Sequence, residues 1–586
     1  MKDKFETVRA AWPMLKQALK TGQLWRPQCE LYEPDSDVIA TYNLPITMPE
    51  GYPLTANLFT SRKAAGAPRP TVMCAHPYDN RKIAALGNTP FSGPPLQYRL
   101  IPQAGGKPRF STLTSWESPD PGFWVPAGYN LVNLNLPGYA NSGGPASIMS
   151  RHQGQSYRDA ISWIAKQPWS DGAVGLCGVS FLCISQYLAA AVAEREALPA
   201  ALKCMIPWEG VSDLYHDLAC RGGVADTGFL DFWWHTEVKE SINRPLASYL
   251  AVEEAIPPKI LDHHPLYDEF WRAKAPPLEN ITVPMLVGAS FSDHELHTMG
   301  TFRAFEQAQS PRKWLYTHRN GKWAEFYRPD CLALQKRFMD HFLKGEENEF
   351  AQEPRIRLEV RSDGKTIKEV RWEPQWPLRG TRYQKLYLAQ RGLTLGPPEV
   401  AGEQSYDAKS GEAVFEFSFN EETELSGYMM LKLWVEARAG SSDATYPADM
   451  ALCCYVDKLD RHGERVGFNG SVGVQHDVLT RGYARASRRA LSFERSSEWL
   501  PVPAGDSIEP LNPGDIVPLR IALCPSSTFF YAGETLRVTV SGRDTVFAPI
   551  FHKVTDDNDG VHVLHFGGDY DAHLLIPCID ADRRAS

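Results

Sequence analysis

The sequence predicts an α/β protein: a parallel β-sheet with helices on both faces, an inserted helical cap, and a C-terminal β-sandwich. Three observations lead there. Short, almost wholly apolar runs such as VPMLVGAS (283–290) alternate with helical stretches of ten or more residues, the pattern of strands buried on both faces. Residues 209–275 interrupt that alternation with aromatic-rich segments of helical character, including GFLDFWWHTEV. Beyond about residue 348 the chain turns to strands such as RIRLEVRS and ETLRVTVSG, separated by Gly/Pro turns and with little helix.

In chain order, residues 38–60 read as paired strands around a Glu-Gly turn, and 69–79 (RPTVMCAHPYD) as a buried strand entering a loop. GYNLVNLNLPGYANSGG (128–144) repeats that form with a glycine-rich exit. SYRDAISWIAKQPWS (156–170) is helical by the spacing of Ala160, Ile161, Ile164 and Ala165. AVGLCGVS is a third buried strand, ISQYLAAAVAEREA a helix, and LKCMIPW (202–208) a fourth strand. VPMLVGAS and KWLYTH (313–318) then flank the helical HTMGTFRAFEQAQ, and LQKRFMDHFLKGEEN (334–348) ends the pattern. The expected organisation is a core of 1–208 and 276–348, a cap of 209–275, and a β-sandwich of 349–586. A chain of 586 residues is too long for one core.

Composition excludes several functions. With 43% hydrophobic and 22% charged residues, 16 Trp, 23 Tyr and 26 Phe, the chain is not disordered. A net charge of −9 without a Lys/Arg-rich run argues against a nucleic-acid partner. The N-terminal MKDKFETVRAAWPMLKQALK has no signal-peptide core, and no stretch approaches the roughly 18 apolar residues of a membrane helix. A cytoplasmic protein without a membrane partner is expected. Eleven scattered cysteines without C-x-x-C pairs read as free thiols, and neither a metal nor an organic cofactor is implied. The sequence sets no oligomeric state, and a homo-oligomer is compatible with it.

The chemistry centres on GLCGVSFLCISQYLAAAVA (175–193). Ser180 stands between a buried strand and a helix opening with small residues, where a strained turn exposes a hydroxyl beside a helix N-terminus. Gly178 removes a side chain that would crowd the turn. Leu182, however, occupies the second glycine position of the G-x-S-x-G signature. GASFS (288–292) imitates the context, but only one strand follows it, too few for a later acid and histidine. After Ser180 a carboxylate and then a histidine are expected at later strand ends, and Asp293 and His318 stand there. Of the 16 histidines, His294 and His297 adjoin the acid but lie in a helix start, and His341 lies within an amphipathic helix. The backbone N–H of Phe181 is the first oxyanion donor. Tyr78, in the loop His76-Pro77-Tyr78, reads equally as a second donor or as a structural aromatic.

QPWSDGAVGLCGVSF resembles the nucleophile segment of the CocE/NonD hydrolases, the X-Pro dipeptidyl-peptidase-like group that includes cocaine esterase, α-amino-acid ester hydrolases and glutaryl-cephalosporin acylases. Their pattern is W-x-x-G-x-V-G followed by G-x-S-Y, with glycine three positions after the serine. That accounts for Leu182, and leaves Phe181 and Cys183 as departures. HPYDN (76–80), PGYANSGG (137–144) and DHFLKGEEN (340–348) resemble further segments of the family's hydrolase domain. YARASRRAL (483–491), EPLNPGDIVPLRIALCP (509–525) and FFYAGETLRVTVSG (529–542) resemble its jelly roll. The resemblance implies an α/β-hydrolase core with cap and jelly roll, a triad of Ser180, Asp293 and His318, and Tyr78 in the oxyanion loop. The family's G-P-W-x-H frame around the histidine is absent from YTHRNGKW.

The expected reaction is hydrolysis of a small-molecule carboxylic ester, with amides second, through an acyl-enzyme. Trp208, Trp233 and Trp234, in or near the cap, suit a bulky or aromatic group and read equally as core. In α-amino-acid ester hydrolases a carboxylate cluster holds the substrate ammonium. Asp213 and Glu295 match two of its positions, while Leu296 stands at the third, and Glu209 is a further ambiguous acid. X-Pro dipeptidyl-peptidase or amino-ester hydrolase activity is therefore the alternative. An inert core carrying a binding jelly roll is the reading from another class.

Overall fold

A computed structural model describes most of residues 28–580, excepting 65, 81, 85–94, 96, 99–100, 102, 193–196, 244–255, 257–258, 442–444, 471–473 and 546–556. Before residue 28 only positions 12, 16, 19 and 20 are described, so the N-terminal stretch read above lies almost wholly outside the described residues.

The core sheet has eight strands: β1 (Val38–Thr47), β2 (Pro53–Ser61), β3 (Arg69–His76), β4 (Asn130–Asn135), β5 (Ser170–Val179), β6 (Leu202–Trp208), β7 (Met285–Ser290) and β8 (Lys313–His318). Their spatial order is β1-β2-β4-β3-β5-β6-β7-β8. β1 and β2 pair antiparallel, as do β2 and β4, and every later pairing is parallel. This is an α/β-hydrolase sheet. β4 and β7 are buried at every residue, which is why they appear in the sequence as unbroken apolar runs rather than alternating ones.

Helices α1 (Arg151–Ile164), α2 (Phe181–Ala190), α3 (Thr298–Gln307), α4 (Lys322–Phe326) and α5 (Pro329–Lys344) surround the sheet. α1 begins five residues before the expected 156 because the Ser150 hydroxyl caps it, accepting the Gln153 N–H. α1 approaches α2 through Gly154, where a Cβ would lie 2.3 Å from the Leu188 carbonyl oxygen. On β5, Gly175 leaves the space filled by Met339 and Leu343 of α5.

The cap consists of short helical turns, including Tyr215–Ala219, Gly228–Trp233, Trp234–Val238 and Glu269–Arg272. It also contains a hairpin that the sequence reading lacked, Cys220–Arg221 against Val224–Ala225. Its turn glycines have φ of 59° and 85°, and at Gly222 a Cβ would collide with the Tyr483 carbonyl. The hairpin thus lies against the C-terminal domain.

That domain is a two-sheet sandwich. Thr423–Arg438 and Val517–Phe530 run through one sheet; Ala451–Leu459 and Thr535–Ser541 run through the other. Leu431, Leu433, Val456 and Val538 are fully buried in its core. The junction is continuous backbone pairing: β9 (Ile356–Arg361) adds parallel to β8 and reaches Thr528 through Arg361. All eleven cysteines are buried thiols.

Candidate active site

Ser180 has φ 60° and ψ −117°, a conformation that costs a residue with a side chain. Backbone bonds hold it there. Its N–H lies 3.1 Å from the Trp208 carbonyl and 2.9 Å from that of Glu209, and its own carbonyl accepts the N–H groups of Cys183 and Ile184. Gly178 has φ 150°, and a Cβ on it would stand 2.5 Å from Cβ of Leu182. Leu182 is therefore accommodated because position 178 is glycine. Cys183 is compensated in the same way: its Sγ lies 2.7 Å from where a Cβ of Gly210 would be.

The Ser180 Oγ stands 3.3 Å from Nε2 of His297, and His297 Nδ1 stands 2.5 Å from Oδ2 of Asp293. Asp293 thus holds the Nδ1–H tautomer, leaving Nε2 to accept the serine proton. The expected histidine, His318, is not the one that the structure sets beside Ser180. His318 is the last residue of β8, in register with Ser290, and it is fully buried. Its ring stacks on Trp208 and its Nε2 pairs with Glu209 at 3.1 Å. It is still inside the sheet, whereas Asp293 has passed the sheet edge and turned toward α3. Glu325, four residues beyond Gly321, has its carboxylate engaged by Tyr316, Asn320 and Arg328. The legible signal was SDHELH itself: Asp293 and His297 are four apart, the spacing that brings two side chains together at the start of a helix.

Lys322, at the start of α4, donates to the same Asp293 oxygen at 3.2 Å and lies 3.3 Å from His297 Nδ1. Burial and then the Lys322 charge lower the His297 pKa, against the upward pull of Asp293. At neutral pH the imidazole is therefore neutral and able to accept a proton.

Two buried acids flank the elbow, Glu117, which the sequence reading missed, and Glu209, which it left ambiguous; each has a positive φ, 58° and 48°. Glu117 accepts the Trp323 indole N–H at 2.9 Å. Burial lifts its carboxyl to about 7, opposed by Lys322, the Trp323 indole and the Ser180 hydroxyl. No sequence motif marks either acid, because contacts from distant strands and loops assemble the cluster.

The Phe181 N–H opens α2, where the first amides have no intrahelical acceptor. Tyr78 reaches the same pocket as Ser180. Its phenolic oxygen accepts the Trp233 indole N–H at 3.1 Å, which leaves the phenolic proton to donate. The Tyr78 backbone N–H is turned to His76 Nδ1 at 3.2 Å, so the phenol is the group available to an oxyanion. The cavity at Ser180 is about 30 Å3, with mainly apolar walls including Ile184, Leu214, Leu218, Phe229 and Trp233.

The other pocket candidates lie elsewhere. Trp208 is fully buried against Tyr316, His318 and Phe326, and Gly288 makes room for its ring. Trp234 is buried and is not among the residues walling the Ser180 cavity. Asp213 is held by His216 Nδ1 at 2.7 Å, which keeps its carboxyl below the usual range although burial alone would raise it. Glu295 pairs with Arg481 of the sandwich at 2.9 Å. In GASFS, Ser290 and Ser292 bond to each other and Ser292 to the Asn320 carbonyl.

A nucleophile elbow beside a neutral, acid-held histidine on this sheet defines a serine hydrolase. Residues 50–324 match the model of the X-Pro dipeptidyl-peptidase (S15) family, and 348–575 match that of the X-Pro dipeptidyl-peptidase C-terminal non-catalytic domain. A solved CocE/NonD family hydrolase from Staphylococcus aureus is 33% identical, with a TM-score of 0.82 over 93% of this chain and 94% of that one. Cocaine esterase from Rhodococcus sp. is 22% identical over 93% of this chain and 99% of its own length. An aminopeptidase from a marine-sediment Thaumarchaeota archaeon shares the fold, at 16% identity and a TM-score of 0.66 over 93% of this chain and 97% of that one. The chain belongs to the CocE/NonD family of hydrolases. Among the described residues no helix is long and apolar enough to cross a membrane, and no group of three His, Cys, Asp or Glu is placed to hold a metal ion.

Proposed function

We propose that the protein hydrolyses small carboxylic esters through an acyl-enzyme on Ser180, with His297 as the general base and Asp293 as its orienting acid. The observation that carries this reading is the contiguous chain Ser180 Oγ, His297 Nε2, His297 Nδ1, Asp293 Oδ2. His297 takes the serine proton during attack and returns it to the leaving alcohol; water then repeats the cycle on the acyl-enzyme. The Phe181 N–H and the Tyr78 hydroxyl receive the oxyanion.

The small apolar cavity supports a short acyl group, in place of the bulky one that the cap's aromatic content suggested. The ammonium-binding alternative has less support. Of the two acids proposed to receive an amine, Asp213 is paired with His216 and Glu295 with Arg481.

The test is fluorophosphonate labelling together with p-nitrophenyl acetate hydrolysis. Ser180→Ala should abolish labelling, and His297→Ala should lower kcat/KM by about a thousandfold or more. His318→Gln should retain labelling. Full activity in His297→Ala, or labelling that survives Ser180→Ala, overturns the assignment.

A further inference from the structure

A cavity of about 460 Å3 lies apart from the one at Ser180. It lies between the cap, the loop from His294 into α3, and the sandwich segments 481–503 and 519–524. It falls within the roughly 300–1,000 Å3 typical of small-molecule sites. Leu296 walls both cavities, so the larger one backs onto the loop carrying Asp293 and His297.

Its charge is distinctive. Most arginines on its wall are committed: Arg221 to Asp226, Arg303 to Asp217, Arg481 to Glu295 and Asp477, Arg485 to Asp449 and Asp557, and Arg489 to Glu509. Arg488 differs. Its Nη1 is buried, and no hydrogen-bond partner reaches that atom among the described residues. An unbonded guanidinium N–H away from water is costly, and a carboxylate is the acceptor that best matches its geometry. Arg495 is a second cation on the wall. Its Nε and Nη2 donate to the Ser492 hydroxyl and the Pro503 carbonyl, its Nη1 lies 3.6 Å from an Asp213 already bonded to His216, and its one-third exposed guanidinium sits over the Tyr267 ring. Tyr267, Trp499, Leu500 and Pro501 add flat apolar wall.

We propose that this cavity binds a small aromatic carboxylate, its charge on Arg488 and Arg495 and its ring against Tyr267 and Trp499. The site is separate from the Ser180 chemistry and stands or falls independently of it.

The test uses 4-bromobenzoate as the probe, by calorimetry on the full chain and by anomalous diffraction to locate the bromine. One molecule should bind in the cavity, and Arg488→Gln should weaken it by about tenfold or more. Neutral 4-bromobenzamide should not bind. Arg495→Gln gives the same reading if Arg488→Gln does not fold, and an unchanged melting temperature identifies a folded variant. The proposal is overturned by absent binding, by equal affinity in a folded variant, by equal binding of the amide, or by bromine found only beside Ser180.

Discussion

Lys322 has the sharpest individual effect on the proposed chemistry. A cation on the triad acid opposes the acid's own influence on histidine, and with burial it keeps the His297 pKa below its ordinary value. The base must be neutral to act, so activity persists as pH falls below the usual imidazole range and is lost only through the lowered pKa. Removing the cation reverses one of those downward contributions. Lys322→Met should move the acid limb of the kcat/KM profile to higher pH, and an unmoved limb would show that Lys322 does not set it. The same variant leaves Glu117 with less opposition to its burial, so its carboxyl should rise above about 7.

At the scale of elements, the elbow works because two contacts each exchange a side chain for a glycine. Leu182 rests where Gly178 has no Cβ, and Cys183 rests where Gly210 has none. Gly210→Ala should destabilise the fold by about 1–3 kcal/mol through overpacking, and Cys183→Gly should recover part of that loss. Thermal unfolding of the two single variants and the double variant measures the coupling. Exact additivity would refute the contact. The elbow and the sheet were legible because both depend on local order: apolar runs, a strand-to-helix junction, and a glycine two residues before serine. The acid of the proposed triad, Asp293, is the one that strand order suggested, for the same reason. Strand order alone favoured His318 over the histidine proposed here, because that argument ignores whether a residue has left the sheet. Glu117, Glu209 and Lys322 meet only in three dimensions, so no spacing announced them. The Asp293–His297 spacing was visible but was read as an ordinary helix start.

Across the whole molecule, the C-terminal sandwich reaches the loop that carries the proposed acid and base. Arg481, fully buried, bridges Asp477 of its own domain to Glu295, which lies between Asp293 and His297. Removing one partner of a buried pair costs roughly 3–5 kcal/mol. Arg481→Met should therefore lower the melting temperature, and should reduce kcat more than it raises KM, because the loop holding the base loses its anchor. A change in stability with kcat intact would limit Arg481 to the domain junction. The strand β9 has a different consequence, for how the chain is divided in evolution or on the bench. It shields the outer side of β8, and its pairing with Thr528 draws the sandwich along that same rim. A protein ended at Gly345 would leave the β8 rim as an unpaired row of amides and carbonyls, inviting association with other copies. The hydrolase half expressed alone should be recovered as aggregates, whereas the full chain should unfold with both halves melting together in a calorimetric scan.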